Sequence, residues 1–140
     1  MHRLADPGRG IAGTTAAIGL IVRIRREERR AVKKHRLDDM FRGWFVGNFS
    51  PTVLNTEACE VACKHYRAGE REDRHYHKLA TEVTLVVAGR IAMNGIQWSA
   101  GDIVVVEPSE AVEFEALEDA VTVVVKVPGA TNDKYAGSPI

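Results

Sequence analysis

The chain has 140 residues, 45% of them apolar, with 19 basic and 19 acidic side chains. This length and composition suit one globular domain with a buried core. No apolar run approaches the roughly 20 residues of a membrane-spanning helix. The longest one, residues 11–22, follows no basic segment, so no secretory signal is expected. The only cysteines, Cys59 and Cys63, lack a second pair for a zinc ribbon and predict a reducing, cytoplasmic setting.

Charge is distributed unevenly along the chain. Residues 1–36 hold ten Lys/Arg and three Asp/Glu, a net of +7, whereas residues 37–140 carry a net of −7. We therefore predict a basic, flexible N-terminal extension over residues 1–39 and one domain over residues 40–140. A start codon assigned too early would also explain the extension. The extension could meet nucleic acid or an anionic surface, but no nucleic-acid face is expected on the domain.

From Met40 onward the pattern predicts an all-β domain of seven or eight short strands. Asn94-Gly95 between two apolar segments is a strong hairpin signal. The sequence IVVVEP ends at a proline, and AVTVVVKVPG predicts a long strand closed by Pro128-Gly129. The polar tail, residues 130–140, is expected to lie over the surface. Short strands at regular spacing favour a sandwich or barrel.

The segment between Gly69 and Gly89 carries the pattern that indicates chemistry. His75 and His77 lie one residue apart, so in a strand both imidazoles point to the same face. Glu82 follows after four residues, enough for a turn that returns the chain alongside. Two imidazoles and one carboxylate on one face suit a divalent Fe, Mn or Zn ion with open coordination positions. Two exposed strand histidines would give the same local pattern without a site.

The spacing of this segment resembles the first motif of the cupin superfamily. Gly69, five residues, His75-Tyr76-His77, four residues, Glu82, six residues and Gly89 match every fixed position of G-x5-H-x-H-x3,4-E-x6-G. The resemblance covers about residues 40–128. It implies a double-stranded β-helix, a jelly-roll barrel, that holds a divalent ion (Fe, Mn, Zn or Ni) through His75, His77 and Glu82. It also implies a homodimer that binds a small molecule.

The second cupin motif matches less well. Gly101-Asp102 fits its opening, but Pro108 comes after six residues instead of five, and Glu110 replaces a glycine. Glu113 occupies the place of the usual fourth histidine ligand. Three roles stay open for Glu113: a fourth metal ligand, a catalytic base beside a three-ligand ion, or a solvated surface residue. Two carboxylates would neutralise a divalent cation and favour a harder metal.

Other side chains could face the interior of the barrel. In a strand, His65 would point to the same face as the two cysteines, and Thr84 would point to the same face as Glu82. Lys126 interrupts a run of valines, either facing an anionic substrate or protecting an outer edge. Three aromatic residues near the domain start could seal a dimer interface or cap the barrel: Trp44, Phe45 and Phe49.

These features predict a small enzyme that acts on a sugar, hydroxy acid or keto acid through its divalent ion. Isomerase or epimerase chemistry is slightly favoured, with Glu82 or Glu113 as the group that moves a proton. Two alternatives stay open, a non-catalytic module that binds a small molecule or metal, and an Fe(II) dioxygenase. Neither a nucleophile–base motif nor a phosphate-binding loop is present in the sequence.

Overall fold

The computed structural model of the protein describes residues 32–140. Ten strands form in this range: β1 (Trp44–Val46), β2 (Glu60–Tyr66), β3 (Arg71–Tyr76), β4 (Thr81–Ala88), β5 (Arg90–Met93), β6 (Ile96–Ser99), β7 (Ile103–Val106), β8 (Val112–Ala116), β9 (Ala120–Val127) and β10 (Tyr135–Ala136). Two 3₁₀ helices, Leu37–Asp39 and Phe41–Gly43, precede them. Most of the predicted extension lies outside the described residues, and the boundary at residue 40 stays a prediction.

The strands form two antiparallel sheets of five strands each. Sheet A has the order β1-β2-β9-β4-β7, and sheet B has the order β10-β3-β8-β5-β6. Buried residues of both sheets pack into one core, in which Val86 and Val104 of sheet A lie with Ile91 and Phe114 of sheet B. The predicted all-β jelly-roll architecture is confirmed. The prediction of a closed barrel is wrong, because no hydrogen-bonded ladder joins the two sheets within residues 32–140.

Local turn chemistry follows the sequence closely. Asn94 and Gly95 both have positive φ, 50° and 76°, and connect β5 to β6 as the predicted hairpin. Gly89, which ends β4, has a φ of 78°, and a Cβ atom there would lie 2.2 Å from the carbonyl oxygen of Asp119. Glycine at this position of the motif is therefore required both by backbone conformation and by space.

A β-bulge in β3 sets which side chains enter the space between the sheets. Glu72 lies opposite Phe114 of β8 and His75 lies opposite Val112, so β3 uses three residue steps where β8 uses two. Directly opposed residues share a face of the sheet. Because of the extra residue, Glu72 and His75 both face inward, although strict alternation would place them on opposite faces.

Sheet A has an apolar outer face as well as an apolar inner face. The outward residues of its four longer strands are half-buried or exposed, and all of them except His65 and Thr81 are apolar. The most exposed of the set are Val87, Ile103, Val105 and Val127, each about half exposed to solvent. This surface is referred to below as the outer face of sheet A. The predicted homodimer stays a prediction.

The C-terminal tail does not simply lie over the surface, as the sequence had predicted. Tyr135 and Ala136 form β10, which pairs with Tyr76 and His75 of β3. Asp133 just before it is buried, with 7% of its surface exposed. The tail therefore completes sheet B beside the histidine pair. Within residues 32–140 the structure has no helix with the length and apolar character needed to cross a membrane.

Candidate metal centre

Three potential metal ligands converge between the sheets. His75 lies in β3, His77 follows the end of that strand, and Glu82 is the second residue of β4. One ligand atom from each residue lies within 4.8 Å of the others. Both histidines are buried, and 14% of the Glu82 side chain is exposed. They line a cavity of about 1260 Å³. The sequence prediction that these three residues meet is thus reproduced in the fold.

Backbone carbonyls fix the orientation of both imidazoles. Nδ1 of His75 lies 2.8 Å from the carbonyl oxygen of Asp73, and Nδ1 of His77 donates to the carbonyl oxygen of Asp133. Because a carbonyl can only accept, each Nδ1 carries a hydrogen. The Nε2 atom of each ring is therefore the one available to a metal ion. Such outer hydrogen bonds are the usual way in which a protein sets the tautomer of a metal-binding histidine.

Asp133 also organises the turn between β3 and β4. Its carboxylate accepts backbone N–H bonds from Lys78 at 2.9 Å, Leu79 at 3.0 Å and Ala80 at 2.9 Å. Burial alone would raise the pKa of Asp133, but these three hydrogen bonds lower it below the ordinary value. Asp133 therefore orients His77 through its backbone carbonyl, and its carboxylate stabilises the turn that leads to Glu82.

Glu82 and His77 form a close pair, with Nε2 of His77 and Oε2 of Glu82 3.1 Å apart. The hydrogen bond to Glu82 raises the pKa of His77 above its ordinary value. Burial would raise the pKa of Glu82, but His77 and the nearby Lys126 ammonium lower it. By contrast, burial lowers the pKa of His75. Metal binding would displace any proton on Nε2 of His77.

The donor set fits a divalent transition metal. Two ligands bound at about 2.1 Å in cis positions are about 3 to 3.5 Å apart, so atoms that now lie up to 4.8 Å from one another need to close by at most about 1.3 to 1.8 Å. Two neutral imidazoles and one carboxylate leave an ion with net positive charge and open positions toward the cavity. Bound there, the ion would act as a Lewis acid toward an oxygen of a small molecule.

Glu113 does not join this cluster. Its neighbours in β8, Val112 and Phe114, are buried and line the cavity, whereas Glu113 is exposed on the opposite face. Its backbone N–H donates to Oδ1 of Asn94 in the β5–β6 turn. The predictions of Glu113 as the fourth ligand and as the catalytic base are wrong, and the surface alternative describes its position.

The structure also separates the other candidate residues. His65 pairs with Val121 and is exposed on the outer face of sheet A, so its interior placement was wrong. Thr84 is buried and lines the cavity, as predicted from its position two residues after Glu82 in the strand. Lys126 faces inward directly opposite Glu82. Trp44 caps the cavity, with the Nζ of Lys126 4.6 Å from its ring centre.

A carboxylate that the sequence interpretation missed lies in the cavity wall. Oε1 of Glu72 accepts hydrogen bonds from Nζ of Lys64 at 3.0 Å and from the hydroxyl of Tyr66 at 2.9 Å. These bonds join sheet B to sheet A across the cavity. Burial would raise the pKa of Glu72, but the Lys64 ammonium and the hydrogen bonds lower it. Burial and the Glu72 charge raise the pKa of Tyr66.

Comparison with known proteins identifies the fold. The sequence matches no protein-family model and no curated protein. An uncharacterized conserved protein with a double-stranded beta-helix domain from Klebsiella pneumoniae superposes with a TM-score of 0.58 at 21% identity, over 76% of this chain and 93% of that one. An RmlC-like cupin from Shewanella frigidimarina gives 0.50 at 21% identity, over 56% and 72% of the two chains.

A third similar structure contains a metal. The bacterial pirin YhhW from Escherichia coli, in complex with nickel(II), superposes with a TM-score of 0.52 at 16% identity, over 63% of this chain and 39% of that one. Likeness at these identities shows the fold and leaves the activity open. The chain therefore has the double-stranded β-helix fold of these structures, which is the fold that the first motif had implied.

Proposed function

We propose that this cupin-fold protein binds one divalent metal ion through Nε2 of His75, Nε2 of His77 and the carboxylate of Glu82. We further propose that it is a small enzyme, of isomerase or epimerase type, for a sugar, hydroxy acid or keto acid that enters the cavity. The observation that carries the proposal is the convergence of two buried imidazoles, whose tautomers are set by backbone carbonyls, with the carboxylate of Glu82. The size of the cavity, about 1260 Å³, leaves room for a small molecule beside an ion.

Proton transfer between adjacent carbons needs a base that is not itself a ligand. Glu72 meets this requirement in place of Glu113, because it faces the cavity from β3 and is held ionised by Lys64. Its hydrogen bond to Tyr66 provides a second group that can hold a proton. Glu82, in this proposal, serves as a ligand, and the proton moves to and from Glu72.

Metal analysis of the full chain, purified without a histidine tag, tests the metal assignment. We expect about one equivalent of Fe, Mn, Zn or Ni after reconstitution, and loss of that uptake in His75→Ala and Glu82→Ala. Glu113→Ala is the matched control, since this carboxylate is exposed, and should bind like the wild type. Absence of any stoichiometric metal after reconstitution would contradict the proposal, as would unchanged uptake in His75→Ala.

An Fe(II) dioxygenase is the second candidate, because two histidines and one carboxylate on one face are the ligand set of many non-haem iron oxygenases. Anaerobic loading with Fe(II), followed by addition of oxygen with the same sugars and acids, separates the two. Oxygen uptake dependent on one of these compounds would favour the dioxygenase. Turnover without oxygen, and exchange of a carbon-bound hydrogen with heavy water that Glu72→Gln abolishes, would favour the isomerase.

A further inference from the structure

We infer that the cavity selects a hydroxylated carboxylic acid, with Lys126 contacting the acid group and Thr122 contacting a hydroxyl group deeper in the cavity. The inference rests on the proposed function, since it assigns the ligand class of the same cavity. It depends on the row of charges that crosses the inner face of sheet A, on the charge balance of the cavity, and on one buried hydroxyl.

Lys126 lies in the middle of a charged row at the metal-binding end of the cavity. Its strand neighbours on the two sides are Glu60 of β2 and Glu82 of β4, so all three side chains face inward. Nζ of Lys126 is 2.8 Å from Oε2 of Glu60, and 15% of the lysine side chain is exposed. An ammonium has three donors, and Glu60 occupies one of them. The remaining donors are placed beside the carboxylate that would hold the ion.

The cavity charge favours an anion once the ion is bound. The half-buried charged side chains that line it comprise two positive and three negative groups, a net of −1: Lys64, Lys126, Glu60, Glu72 and Glu82. A divalent ion changes this net to +1. One uncompensated positive charge in the cavity attracts a monoanion and disfavours a cation. A monocarboxylate would restore neutrality.

Thr122 supplies an independent indication of a polar ligand. It is 1% exposed, it lines the cavity from β9, and its Oγ1 has no hydrogen-bond partner among the described residues. A buried hydroxyl without a partner costs free energy, so a ligand group that bonds it is favoured. Thr122 lies four residues from Lys126 on the same inward face of β9. The acid end and a hydroxyl end of one molecule would thus lie along this strand.

Matched pairs of small molecules test the inference on the metal-loaded full chain by calorimetry. The pairs are lactate with propane-1,2-diol and gluconate with sorbitol. In each pair the neutral compound has a primary alcohol in place of the acid group. We expect each acid to bind at least about tenfold more tightly than its neutral partner, and Lys126→Met to remove this preference while leaving the neutral compounds unchanged. Lys134→Met, 57% exposed at the rim, is the control and should keep the preference.

Thr122→Val tests the second contact, because it keeps the shape of the side chain without the hydroxyl. We expect gluconate to bind several-fold to tenfold more weakly, whereas lactate, which is too short to reach both residues, should be unaffected. Lys126→Met leaves Glu60 half-buried without its cation. The double variant Lys126→Met with Glu60→Gln removes both charges of the ion pair, and its acid preference is measured in the same way. An unaltered acid preference in both lysine variants would overturn the inference.

Metal content, measured on the same samples, separates this inference from the proposed function. Absence of metal uptake by the wild type would contradict the proposed function. Normal metal uptake with equal affinity for acids and neutral compounds, or with no binding of either acid, would contradict the inference on ligand class alone.

Discussion

The backbone carbonyl of Asp133 accepts a hydrogen bond from Nδ1 of His77, across 56 positions of sequence. The Asp133 carboxylate independently accepts three N–H bonds from the turn that leads to Glu82. Substitution leaves the carbonyl in place, so Asp133→Ala removes the carboxylate contacts specifically. We expect the free energy of unfolding to fall by about 2–3 kcal/mol and metal affinity to fall by about 10- to 100-fold.

Asp119→Ala is the control for the Asp133 variant. Its Oδ1 accepts one N–H bond, from Ala68 in the connection between β2 and β3, and not from the turn that leads to Glu82. We expect a smaller loss of stability, about 1 kcal/mol, and metal affinity like that of the wild type. Isothermal titration with Zn(II) and urea unfolding of both variants provide the measurements. Equal metal affinity in the wild type and Asp133→Ala would show that the carboxylate does not position the ligands.

The two glycines of the motif should differ in their tolerance to alanine. Both have positive φ, 88° at Gly69 and 78° at Gly89. A Cβ atom at Gly69 meets nothing within 4 Å, whereas one at Gly89 would lie 2.2 Å from the carbonyl oxygen of Asp119. We expect Gly69→Ala to cost about 1 kcal/mol from backbone strain and Gly89→Ala to cost about 2 kcal/mol or more. Denaturant unfolding checks this order, and equal costs would contradict it.

Glu72 should give the stability of the protein a specific acid dependence. Its pKa in the fold lies below the ordinary value of 4.5, so the stabilisation is complete above that value and is lost as the pH falls through the folded-state pKa. We expect Glu72→Gln to be about 1–2 kcal/mol less stable than the wild type at pH 7. This difference should shrink toward zero well below pH 4.5. Urea unfolding at both pH values measures the difference.

Glu115→Gln is the control for the acid dependence. Glu115 forms an exposed ion pair with Arg71, whose side chain is 70% exposed. Water screens such a pair, so this variant should differ from the wild type by less than about 0.5 kcal/mol at either pH. A Glu72→Gln deficit that is the same at neutral and acid pH would contradict the role given to the ionised carboxylate.

The outer face of sheet A offers a surface for the predicted homodimer. Four strands spaced about 4.8 Å apart give this apolar face roughly 400 Å² in projection, which is the size of the largest apolar patch on many proteins, and such a patch is often functional. We expect a solution mass of twice 15.4 kDa by light scattering. Val105→Lys, at a 53% exposed position of this face, should yield the monomer. Ile96→Lys, 59% exposed on sheet B, should remain dimeric. A monomeric wild type would refute the dimer.

Much of the fold could be predicted because its signals are local. The Asn94-Gly95 turn specifies its hairpin by backbone conformation, and the valine-rich strand β9 was identified from composition and its closing Pro128-Gly129. The inward pairing of His75 and His77 follows from the two-residue period of a strand. Three expectations remain predictions: the ion as Fe, Mn, Zn or Ni, a small-molecule ligand, and a cytoplasmic location.

The parts that were missed depend on contacts between distant segments or on register. Glu113 was assigned to the interior from an imperfect second motif, in which one extra residue precedes Pro108. A shift of one residue moves a strand side chain to the other face, and Glu113 lies outside. Asp133 carries no local signal, because its partners lie more than 50 residues earlier. Glu72 was missed because alternation from His75 assigns it to solvent.

The bulge in β3 makes the number of residues between Glu72 and His75 as important as their identity. Without the bulge, the two residues between Glu72 and His75 would place these side chains on opposite faces, whereas a single residue between them would pair regularly with β8 and keep both facing inward. Substituting Asp73 or Arg74, both exposed, changes the surface without altering that count. Homologous chains that share this chemistry should therefore carry either two residues here with the bulge or one residue without it, whatever the side chains at these positions.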